Sequence, residues 1–215
     1  MLVYVIGVGG TGSSLVPLLT RMLDDSKFVL FDGDIVEDKN ISRQVYQSFN
    51  LGENKAVALA RKLNSNFSNE HYYFDKYIES EYDLTSFLGL RRYEEKMIII
   101  GCVDNNATRK IIETFYDKVA DDKCIYIDAG NEDTYGNVFV STKKNKIYRT
   151  FYVETLDDHP SKNCSLEIAL GNPQQYQLNF DMALSIAKVV FNYEQNQRIP
   201  SRIEIKGFFR KAYFN

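Results

Sequence analysis

Short apolar runs alternate along the first 130 residues with longer segments in which apolar residues recur every three or four positions. Continuous apolar runs are typical of strands that are buried on both faces of a parallel sheet. The longer period is typical of amphipathic helices. The predicted strands cover residues 2–6, 28–31, 72–78, 97–103 and 125–129. Strands that alternate with helices in this way predict an α/β fold with a doubly wound, mainly parallel sheet.

The predicted helices lie between these strands. The first helix follows the N-terminal strand, and its apolar face is predicted to consist of Leu15, Leu18, Leu19 and Met22. Further helices are predicted at residues 55–63, 84–90 and 108–119. The stretch 35–51 is polar and has no clean period, so we expect a long functional loop or a broken helix there.

The pattern changes after residue 130. Residues 137–141 and 147–152 are predicted to be antiparallel strands, residues 154–173 an exposed loop, and residues 203–209 a segment that closes the sheet. A long helix is predicted between the loop and the last segment, with one apolar face formed by Tyr176, Phe180, Ala183, Leu184, Ala187 and Phe191. The sequence has no repeat and no linker, so we expect residues 1–215 to form one domain.

The composition limits the function classes. Of 215 residues, 44% are hydrophobic and 26% charged, as in an ordinary folded protein. The 26 basic and 29 acidic residues leave a net charge of −3, which argues against a broad nucleic-acid interface. The apolar N-terminus lacks a basic region and leads straight into glycines, so it predicts a buried strand and not a signal peptide. No apolar run is long enough to span a bilayer, and we expect a cytoplasmic protein without a membrane partner.

Three cysteines are spread along the chain. Cys102, Cys124 and Cys164 are too few and too scattered for a disulfide framework, and they form no C-x-x-C pair. We therefore expect no zinc. Cys102 and Cys124 fall in predicted strands and are expected to be core residues, whereas Cys164 falls in the predicted exposed loop.

A glycine-rich sequence joins the first strand to the first helix. Gly7, Gly9, Gly10 and Gly12 belong to a G-x-G-x-x-G pattern, which allows a tight turn and a close approach of the backbone to a phosphate. Asp32 follows the second strand about twenty residues later, where an acid can accept hydrogen bonds from ribose hydroxyls. These features predict an adenine-nucleotide site, but they do not distinguish ATP from NAD. A glycine turn that serves only helix–strand packing is the alternative.

The segment after the ribose-binding acid favours ATP. Asn40, Arg43 and Gln44 place three hydrogen-bond donors within five residues, as a triphosphate and a departing pyrophosphate require. Lys55 begins the next helix and adds a second cation. Asp104 follows the fourth strand, at the edge where ligands of such folds bind, and could hold Mg²⁺ against the phosphates. Taken singly, Arg43 and Lys55 would be surface charges and Asp104 a helix cap.

Together these motifs resemble those of the ThiF/MoeB/HesA family, the adenylation domain of ubiquitin-activating enzymes. The similarity covers about the first 130 residues. It rests on the glycine loop, on D-x-D-x-V-E-x-x-N-x-x-R-Q at residues 32–44, on Lys55, and on Val103, Asp104 and Asn105 followed by Arg109. The resemblance implies a Rossmann-like fold with antiparallel strands in its C-terminal part.

The resemblance also implies a role for each motif residue. Gly9, Gly10 and Gly12 would lie along the phosphates, and Asp32 would take the ribose. The residues that would surround the phosphates are Asn40, Arg43, Gln44 and Lys55, and Asp104 would support magnesium and the attack. The implied reaction is Mg·ATP-dependent adenylation of the C-terminal carboxylate of a peptide or of a small ubiquitin-like or sulfur-carrier protein, which yields an acyl-adenylate and pyrophosphate. Residues 1–130 would bind the nucleotide and residues 131–215 the acceptor, in a homodimer.

Cys164, with His159 as a base, could accept the activated acyl group as a thioester, but an ordinary half-buried cysteine is the favoured interpretation. Family members often have a helical arm before the first strand, and this sequence starts directly at that strand. An NAD(P)-dependent oxidoreductase and a non-catalytic nucleotide-binding partner subunit are the alternative functions.

Overall fold

The computed structural model of the chain describes residues 1–23, 25–66, 71–92, 95–131, 135–151, 173–207 and 209–214. In this part of the chain, eight strands form one sheet. They are β1 (Leu2–Ile6), β2 (Lys27–Phe31), β3 (His71–Phe74), β4 (Met97–Gly101), β5 (Cys124–Asn131), β6 (Tyr135–Thr142), β7 (Arg202–Lys206) and β8 (Phe209–Tyr213).

The strands follow the order β3-β2-β1-β4-β5-β6-β7-β8. The first five strands in this order run parallel, and β6, β7 and β8 are antiparallel to their neighbours. Ile6 pairs with Phe31 of β2 and with Gly101 of β4, so these three strands end at the same level. The chain reverses its winding direction between β1 and β4, which is where ligands bind in sheets of this kind. The predicted Rossmann-like fold with antiparallel C-terminal strands is confirmed.

Six α-helices occur in the described residues: α1 (Gly10–Met22), α2 (Asp38–Ile41), α3 (Lys55–Asn66), α4 (Glu81–Thr85), α5 (Asn106–Val119) and α6 (Pro173–Glu194). Short 3₁₀ turns lie at Ser48–Asn50, Leu88–Leu90 and Arg149–Phe151. None of the helices in the described ranges is both long and apolar enough to cross a membrane.

Helices cover the sheet on both faces. Val3 and Val5 of β1 face a cluster that includes apolar residues of α1, α3 and α6, whereas Leu2, Tyr4 and Ile6 face a cluster that includes residues of α4 and α5. All five residues of β1 are therefore buried, which explains why this strand has no alternation of polar and apolar positions.

The predicted apolar face of α1 was partly wrong. Leu15 and Leu19 are fully buried, but Leu18 is 36% exposed and Met22 is 39% exposed. The buried face instead includes the small residues at positions 11–14, because α1 packs closely against the strand before it and against α6. The prediction considered only apolar residues and ignored these small side chains, so it placed the centre of the buried face of α1 incorrectly.

The predicted apolar face of α6 was also partly wrong. Ala183 and Ala187 are buried, together with Met182, Ile186 and Val190. The four large residues that were expected beside them are exposed, namely Tyr176, Phe180, Leu184 and Phe191. The strand predicted at 147–152 was also wrong, since the 3₁₀ turn Arg149–Phe151 lies there.

Matched truncations of α1 test which face of this helix carries the core. Leu15→Ala should lower the free energy of unfolding by about 2–5 kcal/mol, because it leaves a cavity in a fully buried site. Leu18→Ala removes the same atoms from a partly exposed site and should cost about 1 kcal/mol or less. Urea unfolding of the two variants measures both values, and equal losses would contradict the observed orientation of α1.

Candidate functional site

The glycine loop lies where β1 ends and α1 begins. Gly7 has a positive φ of 87°, and a Cβ there would lie 2.6 Å from the carbonyl oxygen of Cys102. A Cβ at Gly12 would lie 2.0 Å from the carbonyl oxygen of Gly7. Both glycines are therefore required for packing, as the alternative interpretation of the loop proposed.

Gly9 is different, because packing does not account for it. A Cβ at this position would meet only the Gln44 amide nitrogen, at an ordinary contact distance of 3.9 Å. Gly9 directly precedes α1, so it offers no side chain to cap the N–H groups of the first helical turn. These N–H groups lie at the ligand edge of the sheet, and a helix N-terminus of this kind can bind a phosphate.

Asp32 ties the end of β2 to the glycine loop. One carboxylate oxygen accepts the N–H of Val8 at 2.8 Å, and the other accepts the N–H of Asp34 at 2.9 Å. Burial raises the pKa of Asp32, although Lys55 and the two N–H groups oppose this shift. The carboxylate is thus fixed beside the loop, where it still has acceptor capacity for a ribose hydroxyl.

Lys55 is held by an acid that the sequence analysis did not assign to the site. The Lys55 side chain is 8% exposed, and its ammonium nitrogen lies 2.8 Å from a carboxylate oxygen of Asp34. The hydroxyl of Tyr77 donates to the other oxygen of Asp34 at 2.5 Å. Burial by itself would raise the pKa of Asp34, but the bonds from Lys55 and Tyr77 outweigh it and lower the pKa. The same bond to Asp34 raises the pKa of Tyr77 to about 12.

Asp34 and Tyr77 were therefore missed. The D-x-D pattern at residues 32–34 was a signal for Asp34, since the two acids lie on one short turn after β2. Tyr77 carries no sequence signal, because only the folding of the segment after β3 brings it against Gly33, where a Cβ would lie 2.6 Å from the Tyr77 backbone nitrogen.

The segment 38–44 brings three of the predicted residues together around α2. Asn40 is buried, and its side-chain oxygen accepts the N–H of Glu37 at 2.9 Å as part of a capping box. The amide nitrogen of Gln44 lies near Gly9, while its side-chain oxygen is buried without a hydrogen-bond partner among the residues described. Arg43 is half-buried and donates from Nε to the carbonyl of Lys39 at 3.1 Å.

Asp104 lies just after β4, exposed at the same edge of the sheet. Its neighbour Asn105 caps α5 by accepting the N–H of Thr108 at 2.8 Å. The negative charge of Asp104 makes a small contribution to the raised pKa of Tyr77, so it lies within electrostatic range of the Tyr77 hydroxyl. In the part of the chain described, no three His, Cys, Asp or Glu side chains cluster as a metal site.

Arg109 supports the turn that carries Asp104. Its Nε lies 3.2 Å from the carboxylate of Asp128, both side chains are almost fully buried, and its Nη2 donates to the carbonyl of Val103. Removing one partner of a buried ion pair leaves an uncompensated charge, which is strongly destabilising. Arg109 therefore connects β4, β5 and α5 beneath the site.

Two of the three cysteines, Cys102 and Cys124, lie in the described part of the chain. Cys102 is half-buried and Cys124 is buried, and burial raises the pKa of each thiol to about 12, so neither carries thiolate character at neutral pH. Cys164 and His159 lie outside the described residues.

Comparison with known proteins gives relatives that match about half of this chain. Ubiquitin-like modifier-activating enzyme 5 of Drosophila mojavensis is 33% identical in an alignment 123 residues long, which covers 51% of this chain and 29% of the relative. The Rattus norvegicus enzyme of the same name is 31% identical in an alignment 119 residues long, which covers 52% of this chain and 29% of the relative. The chain therefore matches less than a third of the length of these relatives.

Solved structures match over the whole chain at lower identity. E. coli MccB with ATP has a TM-score of 0.73 and 18% identity over 100% of this chain and 63% of that chain. The microcin C7 biosynthetic enzyme MccB in complex with N-formylated MccA has a TM-score of 0.74 and 19% identity over 100% of this chain and 64% of that chain. At these identities the likeness establishes the fold.

A family model decides the classification. The ThiF family model matches residues 1–210, which is nearly the entire chain of 215 residues. The resemblance inferred from the glycine loop, residues 32–44, Lys55 and Asp104 is thereby confirmed. This protein belongs to the ThiF family.

Proposed function

We propose that this protein binds Mg·ATP and adenylates the C-terminal carboxylate of a peptide or of a small ubiquitin-like or sulfur-carrier protein. The observation that carries the proposal is the meeting of four groups at one edge of the sheet: the glycine loop, Asp32, Lys55 and Asp104. Membership of the ThiF family supports an adenylyltransferase-type activity.

The proposed reaction is a displacement at the α-phosphorus of ATP. A carboxylate oxygen of the acceptor forms a bond to this phosphorus, the bond to the bridging oxygen of the β-phosphate breaks, and pyrophosphate leaves with the electron pair. No proton has to be moved at neutral pH, because the carboxylate is already ionised. Positioning and charge neutralisation therefore make up most of the catalysis.

The cations of the site suit the neutralising role. Lys55 is almost buried, and its charge is balanced by Asp34. A bound polyphosphate would compete with Asp34 for this ammonium group, and Arg43 lies in the same segment as Gln44, next to the glycine loop. Buried or half-buried cations interact with phosphate more strongly than solvated ones do.

The residues present also suit a magnesium ion that arrives with the nucleotide. Mg²⁺ commonly uses one or two protein carboxylates together with phosphate oxygens and water, so a complete protein cage is not required. The exposed carboxylate of Asp104 would hold it at the phosphates. The ion would supply charge stabilisation there.

The comparisons support a polypeptide acceptor. The relatives are named as activating enzymes of ubiquitin-like modifiers, and MccB has been solved in complex with N-formylated MccA. We propose that residues 1–130 bind the nucleotide, residues 131–215 bind the acceptor, and 1–215 act as one domain. The cytoplasmic location stays a prediction from the sequence.

A homodimer is also part of the proposal. Its support is the family resemblance together with large exposed side chains on two helices that pack against each other, namely Leu18 and Met22 of α1 and Phe180 and Leu184 of α6. A second copy of the chain could cover such side chains. The particle mass in solution distinguishes a dimer from a monomer.

The first test concerns the nucleotide. ATP with magnesium should raise the melting temperature more than NAD does at the same concentration, because the triphosphate of ATP offers Lys55 and Arg43 more negative charge than the diphosphate of NAD does. Differential scanning fluorimetry with both ligands measures the two shifts. A larger shift with NAD would favour the oxidoreductase and end the adenylation hypothesis.

A substitution at Asp104 separates an enzyme from a non-catalytic partner subunit. Asp104→Ala should reduce acceptor-dependent pyrophosphate exchange at least about a hundredfold, the scale of losing one electrostatic stabiliser. The fold should persist, because this side chain is exposed. Asp122→Ala removes another carboxylate from the turn between α5 and β5 and should leave exchange unchanged. Near-normal pyrophosphate exchange in a folded Asp104→Ala protein would show that Asp104 has no catalytic role.

Any role of Cys164 belongs to a step after adenylation. Cys164→Ser should keep pyrophosphate exchange, because none of the groups proposed for adenylation is a thiol. A thioester role requires that wild-type protein forms a thiol-sensitive adduct with the acceptor and that the variant does not. An exchange defect in the folded variant would show that the segment around Cys164 helps to build the adenylation site.

A further inference from the structure

Three polar side chains meet beside the glycine loop, on the side of β1 opposite to Asp32. Thr11 belongs to the first turn of α1, Asn131 ends β5, and Asn179 lies in the N-terminal part of α6. Asp32 follows β2, so the expected ribose position and this polar cluster flank β1 and β4 from opposite sides. The cluster therefore joins the proposed nucleotide-binding and acceptor-binding halves.

Asn179 is the centre of the cluster. Its side-chain oxygen accepts from the amide of Asn131 at 2.6 Å and from the hydroxyl of Thr11 at 3.1 Å. Asn179 is 7% exposed and Thr11 is 8% exposed, so these bonds are shielded from water. Gly10 permits this arrangement, since a Cβ there would lie 2.4 Å from the Asn179 amide nitrogen.

One acceptor in this cluster is left unused. The side-chain oxygen of Asn131 is buried and has no hydrogen-bond partner among the residues described. The amide nitrogen of the same side chain is committed to Asn179, which fixes the direction in which the oxygen points. Buried polar groups are nearly always paired, so an unpaired acceptor at a ligand edge indicates a donor supplied by the ligand.

We propose that Asn131, held by Asn179 and Thr11, is a specificity residue that accepts the last main-chain N–H of the acceptor polypeptide. This inference rests on the proposed function and specifies its substrate. The substrate would be a polypeptide whose terminal residue is joined through a secondary amide, so a terminal proline or N-methylated residue would be rejected. A site that accepts a particular N–H rejects an analogue without it, because the buried acceptor then stays unpaired.

The test uses peptides as probes. A pool of synthetic peptides with a free carboxylate and two randomised terminal residues is screened for pyrophosphate release, and the best sequence is remade with an N-methylated last amide. Wild-type protein should prefer the unmethylated peptide in kcat/KM by about ten- to a hundredfold, the usual scale of leaving one buried hydrogen bond unmade.

Variants at position 131 assign this preference to the side chain. Asn131→Leu and the smaller Asn131→Ser should both lose the preference for the unmethylated peptide, while the ATP-induced melting shift stays as in wild type. Asn192→Leu makes the same chemical change near the far end of α6 and should keep the preference. Equal rates for the two peptides in wild type, or an undiminished preference in folded position-131 variants, would overturn the subsite alone. If wild-type protein binds ATP but releases pyrophosphate with no member of the pool, the subsite fails together with the proposal that a short peptide is the acceptor.

Discussion

The contact between Gly12 and the carbonyl of Gly7 is the constraint on which the whole site depends. A single Cβ at position 12 would come within 2.0 Å of this carbonyl oxygen, so α1 can start this close to β1 only with glycine there. The same loop places the N–H of Val8 on Asp32 and the carbonyl of Val8 within 2.7 Å of the Tyr46 hydroxyl. Two hydrogen bonds thus connect the glycine loop to Asp32 and to Tyr46 in the segment that follows.

The sheet register adds the second half of the site. Because Ile6 pairs with both Phe31 and Gly101, the segments after β1, β2 and β4 emerge at one level. Arg109 then connects the segment after β4 to β5, because it donates to the carbonyl of Val103 and forms an ion pair with Asp128. Backbone pairing and one buried ion pair therefore bring together side chains from distant parts of the sequence.

The sequence predicted the buried parallel strands and the family well, because continuous apolar runs and glycine spacing reflect local constraints. It failed on the faces of α1 and α6, where small and polar residues such as Ser14 and Asn179 are buried and large ones such as Phe180 are exposed. It also missed Tyr77 and the pairing of Asn131 with Asn179, which depend on contacts between segments far apart in the chain. The hydrophobic periodicity of a sequence does not predict contacts between distant segments.

The central claim is that an acceptor carboxylate attacks the α-phosphorus of ATP at this site. The most direct measurement uses a peptide substrate whose terminal carboxylate is labelled with ¹⁸O, incubated with the protein, ATP and magnesium, followed by mass analysis of the nucleotide products. Hydrolysis of the acyl-adenylate at its carbonyl carbon should leave one ¹⁸O atom in AMP. Label in inorganic phosphate, or AMP formed without label, would contradict attack by the carboxylate at the α-phosphorus.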